Sequence, residues 1–190
     1  NITGSINILN AMVEYDVKKM IFSSSAAVYG YPEYLPIDEN HPTKPVNFYG
    51  FTKLEIERIL GWYSQLKGLR FAALRYFNAA GYDVKGRISE MEKNCANLLP
   101  IVMETAAGTR EKVLIFGDDY DTKDGTGVRD YIHVNDLATA HIKAMNYLDN
   151  ENKDLIVNLG TGVGYSVLDV INGTKNITKK TIPYKIVERR

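Results

Sequence analysis

Lys19-Met20-Ile21-Phe22, followed by Ser23-Ser24-Ser25, decides how the chain is read. A short apolar run bounded by serines is the pattern of a strand buried on both faces of a parallel sheet. Upstream, Ile6, Ile8, Leu9, Met12 and Val13 recur at helical spacing. Downstream, after a loop carrying Pro32, Pro36, Pro42 and Pro45, the residues Leu54, Ile56, Ile59, Leu60, Trp62 and Tyr63 recur at helical spacing in a segment that opens near Tyr49 and closes at Gly68. Arg70 to Phe77 then reads as a second strand. The order helix, strand, helix, strand predicts an α/β fold with a parallel sheet.

Beyond Gly81 the spacing predicts a helix near Leu98 to Ala107 and a strand Val113-Leu114-Ile115-Phe116. The polar stretch Gly117 to Gly127 is a long loop, of the kind that in a compact domain is functional or mobile. Arg129 to Val134 leads into a helix from Asp136, and Leu155 to Leu159 is one more strand.

With 190 residues, 45% of them hydrophobic, the chain is long enough to bury a core in one or two domains. Lys plus Arg and Asp plus Glu balance at 23 each, and no basic run is present, which argues against a nucleic-acid surface. No apolar run approaches the length that spans a bilayer, so no membrane partner is expected. The lone Cys95 forbids an internal disulfide and favours a reducing, cytoplasmic compartment. Three glycosylation-type triplets, at Asn1, Asn172 and Asn176, are read as accidental. Because Asn1 leads straight into a helical pattern without a Met, the chain is expected to be an internal segment.

Gly160-Thr161-Gly162-Val163-Gly164 follows a strand and invites reading as a dinucleotide fingerprint. That fingerprint needs its third glycine three residues after the second, where this chain has Tyr165. A pyrophosphate site is therefore not expected in these residues.

The chemistry-bearing pattern is Tyr49 and Lys53, in Asn47-Phe48-Tyr49-Gly50-Phe51-Thr52-Lys53. Residues four apart share a helix face. An ammonium there favours the phenolate, which would serve as a general base. The spacing alone is cheap: Tyr15/Lys19 and Tyr63/Lys67 repeat it, and with 13 Tyr about one match is expected by chance. Tyr15/Lys19 runs from a helix into a strand, and Lys67 lies in a last helical turn, where the macrodipole explains it. Only Tyr49/Lys53 combines a helix start with a polar strand end upstream, where Ser25 sits at the carboxyl edge that binds ligands in open α/β sheets. Asn78 follows the next strand, and Asn97, Arg129 and Arg190 suit carbonyl and phosphate partners, although singly each reads as a surface or capping residue. Asp130 and His133 are explained by an ion pair and by backbone bonding. No metal-ligating cluster is present.

Taken together, Ser23-Ser24-Ser25-Ala26-Ala27-Val28-Tyr29-Gly30, Tyr49-Gly50-x-x-Lys53, Arg75-Tyr76-Phe77-Asn78, Gly117-Asp118-Asp119-Tyr120, the string Asp124 to Val134 and Asn158-Leu159-Gly160 resemble the extended short-chain dehydrogenases, nearest to their nucleotide-sugar epimerases. The resemblance runs along nearly the whole chain. It implies an incomplete NAD-binding Rossmann fold, a doubly wound parallel sheet, with a smaller α/β substrate domain. On that basis residues 1–80 and 131–165 belong to the Rossmann part and 81–130 and 166–190 to the substrate part. It further implies an isomerase of galactose metabolism that interconverts UDP-galactose and UDP-glucose through a 4-keto sugar, with hydride passing to and from bound NAD. Ser25, Tyr49 and Lys53 are the implied catalytic residues. Ser23, Ser24, Tyr76 and Phe77, with Tyr49 and Lys53, are implied to contact NAD. Asn78, Asn97, Leu98, Leu114, Ile115, Phe116, Arg129 and Arg190, with Ser25, are implied to hold the UDP-sugar.

The resemblance also implies a homodimer. These 190 residues alone are expected to be inactive, lacking the family's glycine fingerprint. Sister dehydratases carry an Asp-Glu pair where this chain has Ala26-Ala27, which favours epimerisation. A decarboxylase or 4-epimerase acting on UDP-glucuronate stays open, as does acceptance of N-acetylated UDP-sugars. A non-catalytic Rossmann nucleotide sensor would have no use for an activated phenol.

Overall fold

A computed structural model describes residues 1–88 and 95–189. In chain order the elements are α1 (Ile2–Glu14), β1 (Lys19–Ser25), a single 3-10 turn (Ala26–Val28), α2 (Phe48–Lys67), β2 (Arg70–Tyr76), β3 (Asn78–Ala80), α3 (Leu98–Ala107), β4 (Val113–Phe116), β5 (Val128–His133), α4 (Val134–Glu151), β6 (Leu155–Leu159), β7 (Gly164–Ser166), α5 (Val167–Thr178) and β8 (Tyr184–Val187). They form two compact units, one of residues 1–79 and 132–161 and the other of residues 80–131 and 162–190.

The first unit is built on a parallel sheet of strand order β1-β2-β6. Its register pairs Lys19 with Arg70 and Ser25 with Tyr76, and Ala72 with Leu155. Successive side chains leave a strand on opposite faces, and both faces of this sheet are covered. Phe22, Phe71 and Ala73 pack on Leu9 and Met12 of α1 and on Ile56 and Leu60 of α2. Ala72 and Leu74 pack on Ala144 and Leu148 of α4 from the other side. Helices on both faces make the sheet doubly wound. Burying each of the large apolar side chains is worth roughly 1.5–3 kcal/mol, so β1 is an apolar run because helices pack on both faces of its sheet.

α2 starts where Asn47 accepts from the Gly50 N–H at 2.8 Å through its side-chain oxygen, and it ends at Gly68 in the left-handed region. The Pro-bearing loop is fastened by its own bonds. His41 is buried, accepting from the Glu33 N–H through Nε2 and facing the Pro42 carbonyl through Nδ1, each at 2.9 Å. The Glu39 carboxylate accepts from the Asn158 N–H at 2.7 Å, while the Asn158 amide donates to the Ile37 carbonyl at 3.1 Å.

In the second unit β4 and β8 pair in parallel, Val113 with Tyr184 through Phe116 with Val187. Val113 and Ile115 join Val102 and Ala106 of α3, Ile171 of α5 and Ile182 in one core. β5 and β7 pair antiparallel, Arg129 opposite Tyr165.

The loop between Gly117 and Gly127 is firmly built. The Asp124 carboxylate accepts from the Thr126 N–H at 2.9 Å and hydroxyl at 2.7 Å, and from the Ser166 hydroxyl at 2.5 Å. Ser166 also caps α5, in a reciprocal box with Asp169. Gly125 turns the loop with φ +77°, and a Cβ there would lie 1.9 Å from the Asp118 carbonyl oxygen. Only glycine fits both demands. Among the described residues, no helix is long and apolar enough to cross a membrane.

Candidate active site

The three Tyr-x-x-x-Lys matches separate at once. Tyr15 is the C-terminal cap of α1, and Lys19 opens β1. Tyr63 donates to the Asn10 side chain at 2.6 Å, and Lys67 ends α2. Tyr49 and Lys53 lie in the first two turns of α2, with the Lys53 Nζ 5.5 Å from the centre of the Tyr49 ring and 4.9 Å from that of Phe22.

Lys53 is held from the strand side. Its ammonium donates to the Ser23 carbonyl oxygen at 2.8 Å, at the carboxyl end of β1. That bond uses one of the three ammonium donors, leaving two for a ligand. Burial alone pushes the Lys53 pKa below its ordinary value of 10.5. Tyr49 is half exposed, so its phenol is open to a ligand. Ser25 ends β1 and caps the 3-10 turn, its hydroxyl oxygen accepting from the Ala27 N–H at 3.2 Å. Its O–H is then free to point outward as a donor. What brings the start of α2 against this turn is Gly50, where a Cβ would fall 2.3 Å from the Ala27 carbonyl oxygen. A phenol, an ammonium and a hydroxyl at one sheet edge can move a proton to or from a carbinol and hold the resulting oxygen.

Ser24 points the other way. The strand alternation turns it away from Ser23 and Ser25 into the core, where it is fully buried and its hydroxyl donates to Glu57. Ser23 faces the opposite side, 3.5 Å from Nε2 of His141 on α4. Tyr76 and Phe77 are half-buried at the end of β2, where the Phe77 N–H donates to the Leu159 carbonyl at 3.4 Å. Ile115 is 1% exposed, with its side chain in the core of the second unit. Its strand neighbours Leu114 and Phe116 lie on the other face of β4. Asn97 is the exposed N-terminal cap of α3, with no capping bond from its side chain. Leu98 packs on the α3 core. Arg129 is exposed on β5 and donates to the Val128 carbonyl at 2.7 Å. Asn78 opens β3. Arg190 lies outside the described residues. His133 is satisfied by backbone, its Nδ1 accepting from the Asn135 N–H at 3.1 Å, and Asp130 accepts from the Gly162 N–H at 2.8 Å.

Behind the site lies a buried polar network that residue spacing does not single out. Glu57 takes two bonds from Arg75, Nε to Oε1 at 3.0 Å and Nη2 to Oε2 at 2.5 Å, with both side chains buried. Arg75 also donates to the Tyr29 hydroxyl at 2.9 Å, and that hydroxyl donates to Asn158 at 2.7 Å. Burial opposes the Arg75 charge, but the bonds to Glu57 and Tyr29 outweigh it and raise the guanidinium pKa. One signal was available: Glu57 follows Tyr49 by eight and Lys53 by four, on the same helix face.

A nucleotide-binding α/β scaffold with a Ser, Tyr and Lys edge is the class these features define. The model of the NAD dependent epimerase/dehydratase family matches residues 1–160, and the chain belongs to that family. It is 49% identical over 190 residues to the UDP-glucose 4-epimerase of Halalkalibacterium halodurans, covering 100% of this chain and 57% of that protein. The crystal structure of UDP-glucose 4-epimerase from Brucella ovis in complex with NAD superposes with a TM-score of 0.94 at 42% identity, over 99% of this chain and 58% of that one. The enzyme from Bifidobacterium longum, in complex with NAD+ and UDP, gives 0.90 at 46% identity, over 98% and 56%. The chain thus spans a little over half the length of these relatives, and the Rossmann-type α/β reading of its sheet agrees with their fold.

The donor set fits one end of NAD. Two free Lys53 N–H donors and the open Tyr49 hydroxyl suit the hydroxyls of a ribose. For the diphosphate, Gly160 to Gly164 offer no helix N-terminus, because Gly164 opens strand β7.

Proposed function

We propose that the protein of which these residues form part is a UDP-sugar 4-epimerase, an isomerase that interconverts UDP-galactose and UDP-glucose in galactose metabolism. The observation that carries this reading is the Lys53 ammonium, held by the Ser23 carbonyl at 2.8 Å beside the Tyr49 ring. NAD, when bound, would supply the hydride acceptor and donor for C4 of the sugar. Tyr49, as phenolate, accepts the 4-hydroxyl proton and later gives it back to the 4-keto oxygen. Lys53 keeps the phenolate stable by its charge and turns its free donors to the nicotinamide ribose. Ser25 donates its O–H to the same sugar oxygen, holding it while the 4-keto sugar turns over. Ala26 and Ala27 supply no acid or base at the strand end, which favours epimerisation over elimination of water.

Tyr76 and Phe77 are proposed cofactor contacts. Asn78, Asn97, Leu98, Leu114, Phe116, Arg129 and Arg190 are the proposed partners of the UDP-sugar, the arginines by charge-assisted bonds to the diphosphate. The working protein is proposed to be a cytoplasmic homodimer that binds neither nucleic acid nor membrane.

The test is Tyr49→Phe in the full-length protein. Turnover of UDP-galactose is expected to fall by a factor of ~10² or more, with substrate binding little changed; near-parental turnover removes Tyr49 from the mechanism. In the same preparation, UDP-galactose deuterated at C4 is expected to keep its label in the product, and label lost to solvent rules out internal hydride return.

A further inference from the structure

α2 is fastened to the end of β1 at two successive strand residues. Lys53 donates to the Ser23 carbonyl, and one helical turn on Glu57 accepts from the Ser24 hydroxyl. Tyr49, Lys53 and Glu57 are spaced by four and so occupy one face of the helix. Glu57 is fixed in turn by the two-pronged bond from Arg75, whose remaining bond runs through the Tyr29 hydroxyl to Asn158 on β6. The members come from β1, α2, β2, the turn after Ser25 and β6. Each of Ser24, Glu57, Arg75 and Tyr29 is 5% exposed or less. Among the described residues no buried side-chain polar atom lacks a partner. A buried network in which every member is satisfied has one arrangement, because any slip of the helix along the sheet would orphan a charge.

We propose that Glu57 is a positioning residue for the reaction: clamped between Ser24 and Arg75, it sets the register of α2 on β1 and thereby holds Tyr49 and Lys53 opposite Ser25. This rests on the 4-epimerase reading of that site. Apolar packing of Ile56 and Leu60 on Phe22 and Phe71 holds the helix to the sheet but tolerates small slides. The directional bonds of Glu57 do not. An error on the order of 1 Å in the placement of the catalytic pair costs on the order of 10² in rate, so the device acts on turnover while leaving the UDP-sugar contacts in place.

The experiment uses the full-length protein and four variants: Tyr49→Phe, Glu57→Gln, Ser24→Ala and the double variant Glu57→Leu with Arg75→Met. While the Ser24 hydroxyl loses its acceptor, the double variant keeps the space filled and leaves no buried charge unpaired. For it and for Glu57→Gln, kcat is expected to fall ~10- to 100-fold, with KM within about twofold of the parent by the same argument. The limb of the kcat pH profile that Tyr49→Phe abolishes is expected to move in both.

Ser24→Ala, which removes only one strand bond, is expected to shift that limb less. A double variant that melts like the parent and keeps parental kcat and pH profile overturns the proposal, since the network then serves folding alone. If the double variant does not fold, parental kcat and pH profile in both Glu57→Gln and Ser24→Ala overturn it equally. Tyr49→Phe at parental turnover is a different failure: it overturns the catalytic reading of the site.

Discussion

Lys53 donates to the carbonyl of Ser23, a bond of 2.8 Å from a helix side chain to a strand end thirty residues earlier. The bond aims the ammonium across the sheet edge, and the burial that goes with it disfavours the charge. A lysine with a lower pKa folded than unfolded binds fewer protons in the folded state between the two values. Stability therefore rises with pH through that window, and below it the cost of burying the charge is fully present.

Lys53→Met in the full-length protein is accordingly expected to be at least as stable as the parent at pH 7, and to lose that advantage as pH rises toward 10.5. Its turnover is expected to fall by ~10² or more. Thermal melts at pH 7 and pH 10, beside turnover, check this. A variant clearly less stable than the parent at pH 7 would show that the Ser23 bond outweighs the cost of burial.

Gly50→Ala tests the close approach of α2 to the turn after β1. The added Cβ would meet the Ala27 carbonyl oxygen at 2.3 Å and its carbon at 2.9 Å, both backbone atoms with no side-chain torsion to give way. In a helix the change gains about 1 kcal/mol of propensity, while overpacking costs about 1–3 kcal/mol. A net loss of about 1 kcal/mol is expected, with turnover falling further than stability because Tyr49 is the adjacent residue. Urea unfolding midpoints and kcat measure the two. A stabilised, fully active variant would mean that the turn yields freely.

The legible parts of this chain are those in which local spacing and tertiary environment agree. Val113–Phe116, Leu155–Leu159 and Leu98–Ala107 are the strands and helix that periodicity predicts, because each has an apolar face or run long enough to signal itself. Tyr49 and Lys53 were found because two side chains on one helix face leave a trace in spacing. Glu57 continues that spacing, but a glutamate on a helix and an arginine at a strand end read as solvated groups until tertiary pairing buries them together. The environment of Ser24 is hidden for a related reason. Three consecutive serines look equivalent in the sequence, yet strand alternation sends the middle one into the core. The three-residue strands β3 and β7 are too short to carry a period.

Residues 1–190 expressed alone are expected to hold no NAD. The proposed ribose-binding donors Tyr49 and Lys53 are present, but Gly160 to Gly164 run into strand β7, so their N–H groups are not gathered at a helix N-terminus for a diphosphate. Fluorescence of added NADH is the measurement. An enhanced, blue-shifted signal that survives gel filtration would show that a phosphate cradle exists within these residues after all.

Ser166 joins two structures in the second unit, as cap of α5 and as donor to Asp124. Ser166→Ala removes the capping bond to the Asp169 N–H, worth ~1 kcal/mol, and a hydrogen bond to a charged group, worth about 1.5–3 kcal/mol when buried and less at this half-buried position. A local loss of about 2 kcal/mol is expected, read as faster hydrogen exchange at the amide of buried Ile171. Burial alone would raise the Asp124 pKa, but the bonds from Ser166 and Thr126 outweigh it and hold the carboxyl below its usual 3.8, and the Ser166 bonds do the same for Asp169. Carboxylates with depressed folded pKa values contribute stability that is present above pH ~4 and is lost as pH falls through the folded values. The difference between parent and variant is therefore expected to be full at pH 7 and to shrink below pH 4. A difference that does not change between pH 7 and pH 3 would assign the effect to the lost cap alone and remove the Asp124 carboxylate from the stability of this loop.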